Sequence, residues 1–134
     1  MTKREELRVE EPAFSQFTGA RYLVIESYKR DGTAVRTPVW FVANNRALYV
    51  RTDNDTGKVK RIRRDPHIRI ALSNARGTPK GTWVDAKAEI ANVPESEEAY
   101  LLLKKKYGLQ YRAVRFMGRL MGSKSKGVVL AIHA

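Results

Sequence analysis

Residues 21–52 read RYLVIESYKRDGTAVRTPVWFVANNRALYVRT. β-Branched and aromatic runs alternate there with turn residues. Residues 21–29 predict a strand, and Asp31-Gly32 predicts a turn, because glycine reaches positive φ without steric cost. Residues 34–43 predict a second strand, Asn44-Asn45 a second turn, and residues 47–52 a third strand. Connections this short make the neighbours antiparallel. Pro38 has no N–H to give to a ladder, so it belongs at an edge or a bulge.

Outward from this core, DNDTGKVKRIRRDP predicts a helix from near Thr56 to just before Pro66. Val59 and Ile62 would face the core, with Lys58 and Arg61 on other faces. Residues 67–73 alternate, with Ile68, Ile70 and Leu72 on one side. Residues 82–92 alternate again, Val84, Ala86, Ala88 and Ile90 against Trp83, Asp85, Lys87 and Glu89. A helix is expected at about 95–107, acidic at its start and basic at its end, with Gly108 as its C-terminal cap. A further helix over 110–121 would point Val114, Met117 and Met121 inward and carry Arg112, Arg115 and Arg119 on another stripe. Residues 127–133 predict the last strand. The order β-β-β-α-β-β-α-α-β, with six short strands, predicts a mainly β (α+β) single domain over 1–134, a small barrel with peripheral helices.

Composition excludes whole classes of chemistry. Cysteine is absent, which removes disulfides, thiolate metal sites and a cysteine nucleophile, and fits a cytoplasmic protein. Only His67 and His133 are available, so no metal site is expected. Mean hydropathy is −0.48, and no apolar run reaches the ~18 residues of a membrane span. The charged start MTKREELRVEEP lacks the apolar region of a secretory signal. No nucleophile elbow, Walker motif or dinucleotide fingerprint is present.

The formal charge of +12 asks for an anionic partner. Arg51–Arg64 holds six basic residues against Asp53 and Asp55, and eight basic residues with no acid follow Glu98. The segment from Arg51 to Lys58 joins a strand end to a helix start, where free N–H groups and the positive end of the dipole favour an anion. There Gly57 permits close approach, Lys58 gives a point charge, Arg51 a bidentate fork, and Thr52 and Thr56 hydroxyl donors. Thr37, beside Pro38, is a second candidate, for the edge of a flat heterocycle. In a competing reading, a basic barrel with Tyr22, Tyr28, Trp40, Tyr49 and Trp83 on its strands binds single-stranded nucleic acid by stacking. These aromatics do not recur at one spacing, which makes nucleic acid the weaker partner.

Three runs carry a resemblance: T-P-V-W-F at 37–41, Y-V-R-T at 49–52 and T-G-K-V-K-R-I-R-R-D-P at 56–66. They resemble the FMN-binding split β-barrel proteins related to pyridoxamine 5′-phosphate oxidase, and most of all the branch that uses the deazaflavin coenzyme F420. G-T-W-V-D-A-K-A-E-I at 81–90 and K-Y-G-L at 106–109 extend the similarity over residues 15–134. The resemblance implies a homodimeric six-stranded barrel with a flavin-type cofactor in each of two interface clefts. It implies that Thr37, Pro38 and Val39 contact the ring, and that Arg51, Thr52, Thr56, Gly57 and Lys58 hold the phosphate. Trp83 and Asn74 would come from near or across the dimer seam. Val39, Phe41 and Ile90, apolar positions that one small barrel would leave uncovered, also point to a dimer. Pyridoxamine phosphate oxidases proper carry a further C-terminal segment with substrate-binding Arg and His; none follows Ala134, so vitamin B6 oxidation is not expected. The implied activity is hydride transfer from reduced F420 to a conjugated small molecule, with FMN as the alternative cofactor and a flavin- or haem-binding protein as the alternative role. F420 is the more anionic cofactor, which suits the basic surplus, and Lys104–Lys106 with Arg112, Arg115 and Arg119 would line a path for its tail.

Overall fold

The computed structural model describes residues 12–44, 46–110, 112 and 127–134. Its strands are β1 (Tyr22–Tyr28), β2 (Ala34–Trp40), β3 (Val42–Ala43), β4 (Leu48–Asp53), β5 (His67–Leu72), β6 (Val84–Ile90) and β7 (Gly127–His133). Helix α1 spans Gly57–Arg64, helix α2 spans Val93–Tyr107, and a 3-10 turn, Pro12–Phe17, precedes β1. One antiparallel sheet runs in the order β2-β1-β5-β6-β7-β4-β3.

The count is seven strands where the sequence predicts six, because residues 34–43 break at Phe41. The Phe41 N–H donates to the Tyr107 hydroxyl (3.0 Å) and its carbonyl accepts from Lys106 Nζ (2.9 Å), so α2 takes backbone groups that a ladder would otherwise use. Before the break the chain pairs with β1; after it, with β4. One bent stretch therefore holds both edges of the sheet and curls it into a barrel. β2 is an edge strand, as Pro38 requires, but no bulge accompanies it: the register from Tyr22↔Trp40 to Tyr28↔Ala34 is unbroken. The irregularity lies at Phe41, where a helix competes for the backbone. The first hairpin closes through Lys29 N–H to Thr33 O (2.9 Å), with Gly32 at φ 88°.

Alternation sorts the side chains. Leu23, Ile25, Leu48, Val50, Ile68, Ile70, Ala86, Ala88, Leu130 and Ile132 fill the barrel, with Phe14 and Phe17 from the 3-10 turn and Ile62 from α1. The opposite faces of β4 and β7 present Tyr49, Val129 and Ala131 to Ala99, Leu103 and Tyr107 of α2. Phe41 is 1% exposed and so is covered within one chain, while Val39 and Ile90 pack against the barrel core but stay partly exposed. α2 starts at Val93, two residues earlier than expected, because Asn92 caps it by accepting from Glu95 N–H (2.9 Å). The expected helix over 110–121 lies, apart from Gln110 and Arg112, outside the described residues.

Candidate functional site

β4 delivers Arg51 and Thr52 to the start of α1, and alternation sends them to opposite faces. Thr52 points into the end of the barrel and is buried. Thr56 caps α1: its hydroxyl accepts from Val59 N–H (3.3 Å) and donates to Asp53 O (3.0 Å). Lys58 leaves the solvent face that its helical position suggests. It is 8% exposed, and its Nζ donates to Thr52 Oγ1 (2.9 Å). Burial, and then the Arg61 charge, hold the Lys58 amine below the usual lysine range, with Asp53 pulling the other way. Arg61 donates from Nε to Ser27 Oγ (2.8 Å), so α1 is tied to both β4 and β1.

Arg51 completes the junction. Its Nη1 stands 3.2 Å from Asp53 Oδ1, while its Nε is buried without a hydrogen-bond partner among the described residues. The guanidinium lies over Gly127, where a Cβ would come within 2.5–2.9 Å of three of its atoms. A side chain at 127 would have to displace the guanidinium, so glycine leaves the arginine this seat. Gly57 is different: the space beside it is held by Arg61 Nη1, 2.8 Å from where a Cβ would stand. Two cations, Lys58 and Arg61, act on each other at this end of the barrel, and Arg51, on the other face of β4, is ion-paired to Asp53, whose charge also reaches Lys58. Such a junction fits a phosphate. It offers an orphaned N–H on Arg51 and, among the described residues, a buried ammonium held only by a hydroxyl.

The ring candidates form a second group. Thr37 pairs with Ile25 and shares its inward face; Val39 pairs with Leu23 and packs on the core. Pro38 points outward, under the loop after β5, where a Cβ on Gly77 (φ 89°) would be 3.2 Å from its ring. Asn74 organises that loop, its Oδ1 accepting from the N–H groups of Arg76 (2.9 Å) and Thr78 (3.0 Å). The guanidinium groups of Arg36 (4.7 Å) and Arg69 (4.8 Å) both lie over the Trp83 ring. Those arginines flank buried Glu26 across three strands, Arg36↔Glu26↔Arg69, with Arg69↔Asp85 next. Glu26 accepts from Tyr28 OH (2.7 Å) and Arg36 Nε (2.9 Å), and Arg69 Nε stands 3.2 Å away, without hydrogen-bond alignment. Burial pushes the Glu26 carboxyl up, but the Tyr28 and Arg36 hydrogen bonds and the Arg69 charge outweigh it and hold the carboxyl below its ordinary value.

β2 joins the two groups. Among the described residues its outer edge is unpaired, and so are Val50–Asp53 of β4 on the side facing it. The strands separate at Phe41, and this split runs from the Thr37–Val39 strip toward the Arg51–Lys58 junction. Arg61 and Gly127 were not among the expected site residues. Arg61 had a signal, sitting one turn after Lys58; Gly127 had none beyond a glycine opening a strand. The five strand aromatics form no common exposed platform, since Tyr49 is fully buried and Trp40 stacks on Tyr107 (4.6 Å). Among the described residues there is no cluster that would hold a metal ion, and no helix long and apolar enough to cross a membrane.

The family model described as pyridoxamine 5′-phosphate oxidase matches residues 10–133. The chain belongs to the pyridoxamine 5′-phosphate oxidase family. Solved structures share the fold of this family member at low identity. A conserved hypothetical protein of Mycobacterium tuberculosis is 20% identical, covering 100% of this chain and 86% of its own, with a TM-score of 0.64. The haem storage protein of Vibrio cholerae is 15% identical, covering 95% and 90%, with a TM-score of 0.58. An F420 reductase is 14% identical, covering 84% and 85%, with a TM-score of 0.53. No curated protein matches the sequence. The split barrel of this family is a flavin-binding fold whose members include oxidoreductases.

Proposed function

We propose that this chain is an oxidoreductase that takes hydride from reduced coenzyme F420 to a conjugated small molecule, working as a homodimer with its cofactor at the interface. The observation that carries this reading is the buried Lys58 ammonium at the β4–α1 junction, under the charge of Arg61, with Arg51 extending from the adjacent β4 position. A buried cation held only by a hydroxyl is costly unless an anion completes it. Arg51, Thr52, Gly57 and Lys58 would hold the cofactor phosphate, with Thr56 fixing the helix start. Thr37, Pro38 and Val39 would lie along the ring. When bound, the deazaflavin supplies the hydride, and the protein's part is position and charge. The β2 edge offers backbone groups to a ring edge, and the junction anchors the far end. Trp83 and the Asn74 loop lie on the outer face of the sheet, where a second subunit would meet them.

The net charge of +12 supports F420 over FMN, because F420 carries a polyanionic tail beyond its phosphate. FMN is the second reading, since one phosphate also satisfies the junction. Absorbance and fluorescence titration of the purified protein with F420 and with FMN, at low and high salt, tests the assignment. The expected result is tighter F420 binding that weakens with salt; tighter FMN binding at both salts overturns it.

A further inference from the structure

At the opposite end of β2 from α1, the 3-10 turn and α2 leave a groove of about 470 Å3. That volume lies within the range of small-molecule sites, roughly 300–1,000 Å3. Phe17, Phe41, Val42 and Leu102 give it apolar walls, and Lys105 and Lys106 also line it. Lys106 is not a lysine extended into water. Its Nζ is fixed on Phe41 O (2.9 Å) and lies 4.0 Å from the centre of the Phe41 ring. Arg21 sits over the neighbouring Tyr107 ring at 5.1 Å, adding like charge. Among the described residues, no carboxylate lies within ion-pair distance of Arg21, Lys105 or Lys106. Burial, and then Arg21, push the Lys106 amine down to about 8. An apolar groove thus carries a half-buried cation that has no counter-ion among the described residues, and two of its three N–H donors remain for an acceptor there.

We propose that this groove binds a small apolar carboxylate, its hydrocarbon body against Phe17, Phe41, Val42 and Leu102 and its carboxylate on Lys105 and Lys106. The site is separate from the β4–α1 junction and does not depend on which cofactor binds there.

The probe is 1-naphthoate, with neutral 1-naphthylmethanol as control. At pH 8 an amine of this pKa is about half neutral, whereas an ordinary lysine is well under ~1% neutral, so an acylating reagent marks Lys106 ahead of the ordinary lysines. Mass spectrometry of the full chain should show naphthoate slowing Lys106 acylation severalfold and the alcohol leaving it unchanged. Fluorescence titration should show about tenfold weaker naphthoate binding in Lys106→Gln, the loss of one charge-assisted contact. If Lys106→Gln does not fold, Ala43→Trp carries the test: Ala43 is exposed, lines the groove and leaves both lysines in place. It should lower naphthoate affinity by a similar factor, while Lys58→Met keeps it. Equal binding of acid and alcohol, unprotected Lys106, or full affinity in Ala43→Trp overturns the proposal. Loss of naphthoate binding in Lys58→Met also overturns it, by placing the acid at the phosphate junction.

Discussion

Replacing Lys58 by Met removes the charge and keeps most of the stem. On stability the structure predicts a small change. The hydrogen bond from Nζ to Thr52 Oγ1 (2.9 Å) is lost, at about 0.5–1.5 kcal/mol. Against that, an ammonium that is only 8% exposed no longer has to be desolvated beside Arg61. The two terms oppose, so the net change should stay within about 1 kcal/mol, or about 4 °C in Tm for a chain of this size. On cofactor binding nothing compensates. Loss of a charge-assisted phosphate contact costs about 1.5–3 kcal/mol, roughly 10–150-fold in Kd. The assay pairs a fluorescence titration with F420 and thermal melts with and without the cofactor. Wild type and Lys58→Met should melt together when free, and only wild type should gain strongly from the cofactor. Unchanged affinity in the variant would remove Lys58 from the site. A free-protein Tm lower by more than about 10 °C would make Lys58 a packing residue, and the reasoning from burial would fail.

Gly127→Ala should displace the Arg51 guanidinium and weaken cofactor binding about tenfold at nearly unchanged Tm; unaltered affinity would take Arg51 out of the phosphate site. Glu26→Gln should cost about 1–3 kcal/mol in denaturant unfolding, because Arg36 and Arg69 lose their shared carboxylate. In wild type the depressed Glu26 pKa means this stability is present above the ordinary carboxylate range and is lost as pH falls through the folded value, a loss that Glu26→Gln should flatten. Lys106, at about 8 folded against 10.5 unfolded, makes the unfolded chain bind more protons in that window, so stability should rise from pH 8 toward 10.5; Lys106→Gln should flatten the rise, leaving the part that Lys58 contributes. Tyr28 and Tyr107, both raised to about 12, act oppositely, and stability should fall above pH 10. Light scattering should give about twice 15.3 kDa for the assembled protein, and a monomer mass with and without cofactor would refute the dimer.

The strands, the α1 boundaries and the inward faces were legible in the chain because they rest on local rules. Alternation marks Ile68 and Ile70 or Ala86 and Ala88 as core, and Thr56 and Pro66 bracket a helix wherever the segment is placed. Local rules also placed Arg51–Lys58 at a strand–helix junction, which is most of the candidate site. They could not locate the break at Phe41, because the groups that capture its backbone, Lys106 and Tyr107, lie 65 and 66 residues away. Nor could they bury Lys58: periodicity gives a helix its faces, but the barrel end closed by Thr52 and Ser27 decides which face meets water. The seat of Arg51 over Gly127 depends on pairing β4 with β7, and the row Arg36–Glu26–Arg69 on pairing β2, β1 and β5. Sequence alone determined the elements, their order and the excess of positive charge, since each follows from neighbours in the chain. Tertiary structure decided which charges are buried and which are left without a partner, because desolvation and ion pairing depend on what the fold brings alongside.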